Sequence, residues 1–354
     1  MSKSSPRERR RLWRSPFLWW PLGVISALVV VSVVVFNVSP WPSALIIRQV
    51  FQDGAKKTAA IMAPYAPTSG VESIYNVQYG DGKFETASTF TELDVFYPTG
   101  TTEPLGTVIW THGGAWVSGN KSNDTVYFQL LAQAGYTVVG LNYTYGPEAQ
   151  YPTAVNELNQ AHAFLLANAE KYHIDPNRIV LAGDSAGAQL SSQLATLITS
   201  PEYAQEVGIT PVLKPEQLQG VVLNSGIYEV TTLLGQKGIL GWGDDVALWA
   251  YTGDKDLQNS PAVAEMSTMN HVTANFPETW ISGGNADPLT NGNSKPFAAK
   301  LQSLGVNVTE LFWPADYTPA LPHEYQFKLN LDAAQTALSS TLTFLSDRIG
   351  PTAN

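Results

Sequence analysis

Short unbroken apolar runs alternate along this chain with longer stretches in which apolar positions recur every three or four residues. Residues 107–111, 136–143, 179–182, 218–224, 279–284 and 306–313 are of the first kind. Runs of that length, bounded by glycine, proline or polar clusters, predict strands buried on both faces. Residues 123–134, 154–173, 186–199 and 331–349 carry the helical repeat. His162 falls in the middle of the second of these, and His173 closes it, where partial positive charge suits a helix C-terminus. Strands alternating with helices predict an α/β fold, a mainly parallel sheet with helices on both faces. Residues 71–350 supply about 280 positions, enough for one large core, and contain no internal repeat.

The amino-terminal part follows a different pattern. Residues 17–38 are almost continuously apolar, and no charge occurs from Ser15 to Ile47. Residues 1–14 hold six basic side chains against one acid, a net +5. About 20 apolar residues cross a bilayer as a helix. This predicts a transmembrane anchor over 15–42, with the basic arm 1–14 in the cytoplasm and the rest outside, at the cell membrane. The span exceeds the apolar core of a cleaved signal and has no small-x-small site after it; a cleaved signal peptide is the alternative. Trp13, Trp19, Trp20 and Trp41 lie near its ends, as interfacial anchors do. In the segment 43–70, Leu45, Ile46, Val50, Phe51, Ala55, Ala59 and Met62 form a rough helical stripe. That predicts a helix that either caps a site or lies on the lipid as a connector. A lid-like insert is expected over 228–271, where Leu233, Leu234, Ile239, Leu240, Trp242 and Trp249 either shape a pocket or simply pack beneath it.

Candidate chemistry sits at strand ends. Ile179-Val180-Leu181-Ala182 runs into Gly183-Asp184-Ser185-Ala186-Gly187, a strand, a tight turn and a helix. Glycines allow the turn, and a serine at its tip presents its hydroxyl as a nucleophile. The strand over 107–111 ends in His112-Gly113-Gly114-Ala115-Trp116, whose small residues let backbone amides approach a developing oxyanion. Of five histidines, His323 alone follows the last strand and precedes the last helix, where the base of a Ser…Asp…His order belongs. His271 reads as a solvated loop residue. Asp287, just past the strand over 279–284, is the preferred third member, to fix the imidazole tautomer. Glu324 and Asp316 are the rival acids. An ordinary histidine at 323 implies an acid limb of activity near pH 6 to 7, with an apparent pKa of about 6.5.

On these motifs the chain resembles the hormone-sensitive-lipase-like esterases of the α/β-hydrolase fold, over about residues 70–350. Tyr143, Pro147-Glu148 and Tyr151-Pro152 echo a further stretch of that family. The resemblance implies an oxyanion hole formed by the amides of Gly114, Ala115 and Ala186. The family often has a third glycine where Ala115 stands, so Ala115 is expected to avoid positive φ. By the same resemblance Asp184, at the variable position of the turn, is non-catalytic.

Charge and composition narrow the field. Without the basic arm the chain has fourteen basic against twenty-nine acidic residues, which disfavours nucleic acid as a partner. The absence of cysteine excludes disulfides and thiolate chemistry. No clustered histidines and no phosphate-binding glycine motif occur, so no metal and no cofactor are expected. The sequence thus points to a membrane-anchored serine hydrolase acting on small-molecule or lipid esters. An acyltransferase with the same triad, or a tethered binding module, are the alternatives.

Overall fold

The computed structural model describes residues 16–80 and 88–350. Eight strands form one sheet: β1 (Val71–Gln78), β2 (Glu92–Pro98), β3 (Leu105–Thr111), β4 (Thr137–Leu141), β5 (Ile174–Asp184), β6 (Leu218–Asn224), β7 (Thr279–Gly283) and β8 (Val308–Phe312). Their spatial order is β1-β2-β4-β3-β5-β6-β7-β8. The β1–β2 and β2–β4 pairs are antiparallel, and the pairs from β4 to β8 are parallel.

Among the described residues ten α-helices flank or precede the sheet: α1 (Pro16–Val38), α2 (Trp41–Met62), α3 (Thr125–Gln133), α4 (Thr153–Ala167), α5 (Ala186–Thr199), α6 (Pro201–Val207), α7 (Gly238–Thr252), α8 (Pro261–Met266), α9 (Lys295–Ser303) and α10 (Asp332–Ile349). Successive strand residues point to opposite faces, so each central strand feeds two cores. Val108, Trp110, Val180, Ala182, Val222 and Trp280 pack with Phe128 of α3 and Phe344 and Leu345 of α10. Ile109, Leu181, Val221, Leu223 and Ile281 pack with Leu158 of α4, Leu190 and Leu194 of α5 and Phe297 of α9. Burying each such side chain stabilises the fold by roughly 1.5–3 kcal/mol, which is why these strands read as continuous apolar runs.

The register brings the strand ends level. Thr111 of β3 pairs with Gly183 of β5, Asp184 with Asn224 of β6, Asn224 with Ser282 of β7, and Gly283 with Phe312 of β8. The loops after β3, β5, β7 and β8 therefore leave from one edge, where ligands of open parallel sheets bind.

Two helical expectations change. The helix predicted over 154–173 ends at Ala167, because the Asn168 amide and side chain both turn back onto the Phe164 carbonyl. His173 is not at a helix C-terminus: it takes φ 53° in the turn just before β5, its carbonyl accepting from the Leu105 amide at 2.8 Å. Residues 228–271, between β6 and β7, carry α7 and α8.

The basic arm 1–14 lies outside the described residues. Among the described residues no single helix is long and apolar enough to cross a membrane. The stretches 24–38 and 41–65 meet that test only as a pair, bent by 79°. α2 lies against the body of the protein. Ala44 and Ile47 pack with Val246, Ala247 and Ala250 of α7. Arg48 donates to the Val117 carbonyl at 2.7 Å, to the Gly146 carbonyl at 3.1 Å and to both carboxylate oxygens of Glu148 at 2.7 and 2.6 Å. Its guanidinium also lies 4.5 Å from the Tyr145 ring centroid.

Arg48 is thus the latch of α2. Removing one partner of a largely buried ion pair costs about 3 kcal/mol or more. Arg48→Met should lower hydrogen-exchange protection in α2 by about two powers of ten while β5 keeps its own. Unchanged protection of α2 would show that the apolar contacts alone hold it.

Candidate active site

β5 ends at Asp184 and α5 starts at Ala186, leaving Ser185 at the corner with φ 50° and ψ −119°. A non-glycine residue tolerates this only where its surroundings over-determine it. They do so here. A Cβ on Gly183 would lie 2.4 Å from the Gly187 carbonyl oxygen, and one on Gly187 only 2.0 Å from that of Thr111. The Ser185 amide is tied to the Asn224 carbonyl of β6 at 2.8 Å.

The loop after β8 brings His323 to this corner. Its Nε2 lies 3.0 Å from Ser185 Oγ, and its Nδ1 lies 3.0 Å from Asp287 Oδ2 in the loop after β7. Asp287 is buried, and its Oδ1 accepts from the Leu289 amide at 2.9 Å. An acceptor-only carboxylate at Nδ1 fixes the neutral tautomer: Nδ1–H donates to Asp287 and Nε2 is left to accept from the serine hydroxyl. The two loops are stitched together by Asn285, which accepts from the Leu321 amide at 2.8 Å and donates to the Tyr317 carbonyl at 3.0 Å.

Charge biases the pair. Burial pushes the Asp287 carboxyl up, but bonds from His323 and Leu289 outweigh it and hold the group below its usual range. Burial likewise opposes the imidazolium of His323, yet the carboxylates of Glu324 and Asp287 prevail and hold it well above an ordinary histidine. Of the rival acids, Asp316 is exposed in the preceding loop. Glu324 Oε1 stands 3.5 Å from Nε2, on the serine side of the ring, while Asp287 takes the Nδ1 side. An acid limb at pH 6 to 7 takes no account of this second carboxylate; the structure moves the expectation upward.

The glycine-containing loop after β3 lies against the same corner. Its Gly113 amide donates to Asp184 Oδ2 at 2.8 Å, and the Trp110 indole donates to Oδ1 at 2.8 Å. Asp184, set aside on the sequence as a variable position, therefore ties this loop to the serine turn. The signal available beforehand was a carboxylate next to a buried strand, where only a hydrogen-bonded acid survives. Gly114, Ala115 and Trp116 all take positive φ, at 117°, 51° and 56°. The expectation that Ala115 avoids that region was wrong. The left-handed conformation costs an alanine about 1 kcal/mol, and the flanks enforce it. The Val117 and Ser118 amides both close onto the Gly114 carbonyl at 3.1 and 3.0 Å, and the Trp116 indole is pinned to Gln189 Oε1 of α5 at 2.9 Å. His112 is stacked on Tyr143 at 4.6 Å between ring centroids, with Nδ1 donating to the Gly113 carbonyl at 2.7 Å. Burial lowers its pKa to about 4, so it is neutral scaffolding.

A cavity of 410 Å³ opens beside this loop, between Gly113, Gly114, Asp124, Asp184 and Glu324 on one side and α2 on the other. Burial pushes the Asp124 and Asp184 carboxyls well above the usual range, helped by Glu324 in both cases and by Asp124 at Asp184, favouring their neutral forms. The insert aromatics do not line this cavity: Trp242 is exposed, and Trp249 borders a separate cavity of 370 Å³ with Lys255. Among the described residues no group of three or more His, Cys, Asp or Glu side chains could hold a metal ion.

The positions of the two acids around His323 give a direct test. Asp287→Asn should lower turnover by up to about four powers of ten, because the amide favours the wrong tautomer. Glu324→Gln should keep the maximal rate close to wild type and move the acid limb of the pH profile downward, since one charge holding His323 protonated is gone. A crippled Glu324→Gln beside an active Asp287→Asn would exchange the two roles.

Comparison with known proteins places the fold. Residues 93–301 match the BD-FAE family. The α/β hydrolase R526 of Acanthamoeba polyphaga mimivirus is 30% identical over 219 residues, and the match covers 60% of this chain and 60% of that protein's length. Esterase B of Lactobacillus rhamnosis superposes with a TM-score of 0.72 at 21% identity, covering 86% of this chain and 96% of that one. A Pyrobaculum calidifontis esterase superposes with a TM-score of 0.66 at 20% identity, covering 94% and 98%. A family match over more than half the chain, on this fold and with this serine turn, makes the chain a member of the BD-FAE family of α/β-hydrolases.

Proposed function

We propose that this chain is a membrane-anchored serine carboxylic-ester hydrolase acting outside the cytoplasm. The observation that carries the hydrolase reading is the unbroken relay from Ser185 Oγ through His323 to Asp287, with both contacts at 3.0 Å. His323 Nε2 takes the hydroxyl proton as Ser185 attacks the ester carbonyl. The tetrahedral oxyanion turns towards the amides of Gly114, Ala115 and Ala186, donors worth about two to three powers of ten each. His323 then returns the proton to the leaving alcohol, leaving an acyl group on Ser185. Water, deprotonated by the same imidazole, releases the acid and restores the serine. Asp287 holds the tautomer and stabilises the imidazolium throughout. Esterase B of Lactobacillus rhamnosis, which shares the fold, is also known with a tributyrin phosphonate inhibitor, which supports an ester as the substrate here. In this reading α2 is a cap over the site and residues 228–271 form a lid.

Ser185→Ala should lower ester hydrolysis by around six powers of ten without loss of fold. It should also abolish labelling by a fluorophosphonate probe. A variant retaining more than a tenth of the wild-type rate would end the assignment. Running p-nitrophenyl esters from acetyl to palmitoyl with and without an acceptor alcohol identifies the acyl group taken; a transferred ester outweighing the free acid would make the protein an acyltransferase.

The anchor reading rests on the uncharged stretch from Ser15 to Ile47 after a basic arm, with residues 16–38 in one helix. Protease added to intact cells should release the catalytic domain and leave α1 in the membrane. A mature protein found soluble, with its amino terminus just past Val38, would replace the anchor with a cleaved signal.

A further inference from the structure

α2 has two unlike faces. Inward, Phe51, Gly54, Thr58 and Ile61 wall the cavity beside the serine turn, while Ala44, Ile47 and Arg48 fasten the helix to the body. Outward, Trp41, Leu45, Ile46 and Val50 are 44, 48, 51 and 67% exposed. Single exposed apolar residues are ordinary, but Leu45, Ile46 and Val50 fall within six positions, Val50 at the rim of the cavity, and with Trp41 in the first turn they mark a contact surface. Past them the outward residues turn polar: Asp53 and Lys56 are also exposed. The apolar half adjoins α1, itself lined with exposed valines and leucine, and the two helices meet at 79°.

We infer that the outer face of α2 lies on a lipid bilayer, so that the cavity it walls is supplied with esters from the membrane surface. The inference rests on α1 being a membrane anchor. A spanning helix followed by a turn of 79° leaves the next helix close to the membrane plane. Leu45, Ile46 and Val50 then enter the boundary between headgroups and acyl chains, as the apolar face of an interfacial helix does. Trp41 sits at the height favoured by interfacial indoles. Lys56, farther along the outward side, faces anionic headgroups, while Lys57 stands at the rim of the cavity. The inner face of the same helix walls the cavity that Gly113 and Gly114 line from the other side, so an ester held at the surface has one helix diameter, about 10 Å, between lipid and that cavity.

Because the chain has no cysteine, single labelling sites can be introduced cleanly. The full chain, reconstituted in phosphatidylcholine–phosphatidylglycerol vesicles, is labelled with an environment-sensitive fluorophore at Val30→Cys, Ile46→Cys or Lys300→Cys. Label at 46 should shift to the blue and be quenched about twofold or more by spin labels at shallow depth. Label at 30 should respond to deep spin labels, and label at 300 to neither. A Leu45→Glu/Ile46→Glu variant should keep its turnover of a water-soluble acetyl ester within about twofold while losing about tenfold or more in kcat/KM on a long-chain ester carried in vesicles. Deep quenching at 30 with a water-like label at 46 overturns the inference and leaves the anchor standing. A blue shift at 46 that lipid spin labels do not quench, and that grows with protein concentration, assigns the face to a second copy and also overturns it. No quenching at 30 removes the anchor and the inference together, while acetyl-ester turnover reports separately on the hydrolase.

Discussion

The structure turns on a contact between two pieces of backbone. The first turn of α5 runs so close to the end of β3 that no side chain fits at Gly187. That approach leaves Ser185 no conformation but the strained corner, and it sets the 112–116 loop against the helix start that follows. One steric fact thereby produces both an outward hydroxyl and a neighbouring row of backbone amides. Asp184 then locks the arrangement by accepting from the Gly113 amide and the Trp110 indole. The strain at Ser185, Ala115 and Trp116 is stored because sheet register, glycine contacts and indole bonds leave nowhere for it to relax.

Electrostatics is the harder problem at this site. Asp124, Asp184 and Glu324 crowd one side of the cavity beside the serine turn. Burial resolves much of the conflict by favouring the neutral forms of Asp124 and Asp184. Asp287 is treated oppositely: its carboxylate is held charged by bonds from His323 and Leu289. Carboxyls within one edge of a sheet thus take different protonation states through their partners. A protonated Asp184 still has an oxygen for each of its two donors, since a carboxylic acid keeps acceptor capacity.

The candidate-site residues that the structure brings together were legible because they obey local rules. The apolar run ending at Ala182, the glycines at 183 and 187 and the order of Ser185, Asp287 and His323 each need only chain-local patterns. The antiparallel edge was not legible. β2 carries Asp94, a charge that breaks an apolar pattern, yet Asp94 is buried, paired with Lys121 at 2.7 Å and accepting from the Asn76 amide. No periodicity reveals a charge neutralised by a partner so distant in sequence. β1 is half-exposed along its length, so its pattern is weak as well. Ala115 failed for a similar reason: residue preference argued against positive φ, and only the assembled loop overrides it. The end of α4 was lost to side-chain capping by Asn168, a bond that helical spacing does not encode.

The Arg48 latch has a consequence for how such a chain changes over time. α2 is fastened to the Val117 and Gly146 carbonyls and to Glu148 of the body. Only Ser39 and Pro40 separate it from α1. The wall of the cavity therefore travels with the enzyme body, whatever lies upstream of that break. Segments of other lengths can be grafted at this joint without reshaping the cavity. What precedes the helix and what the cavity accepts become separately heritable traits.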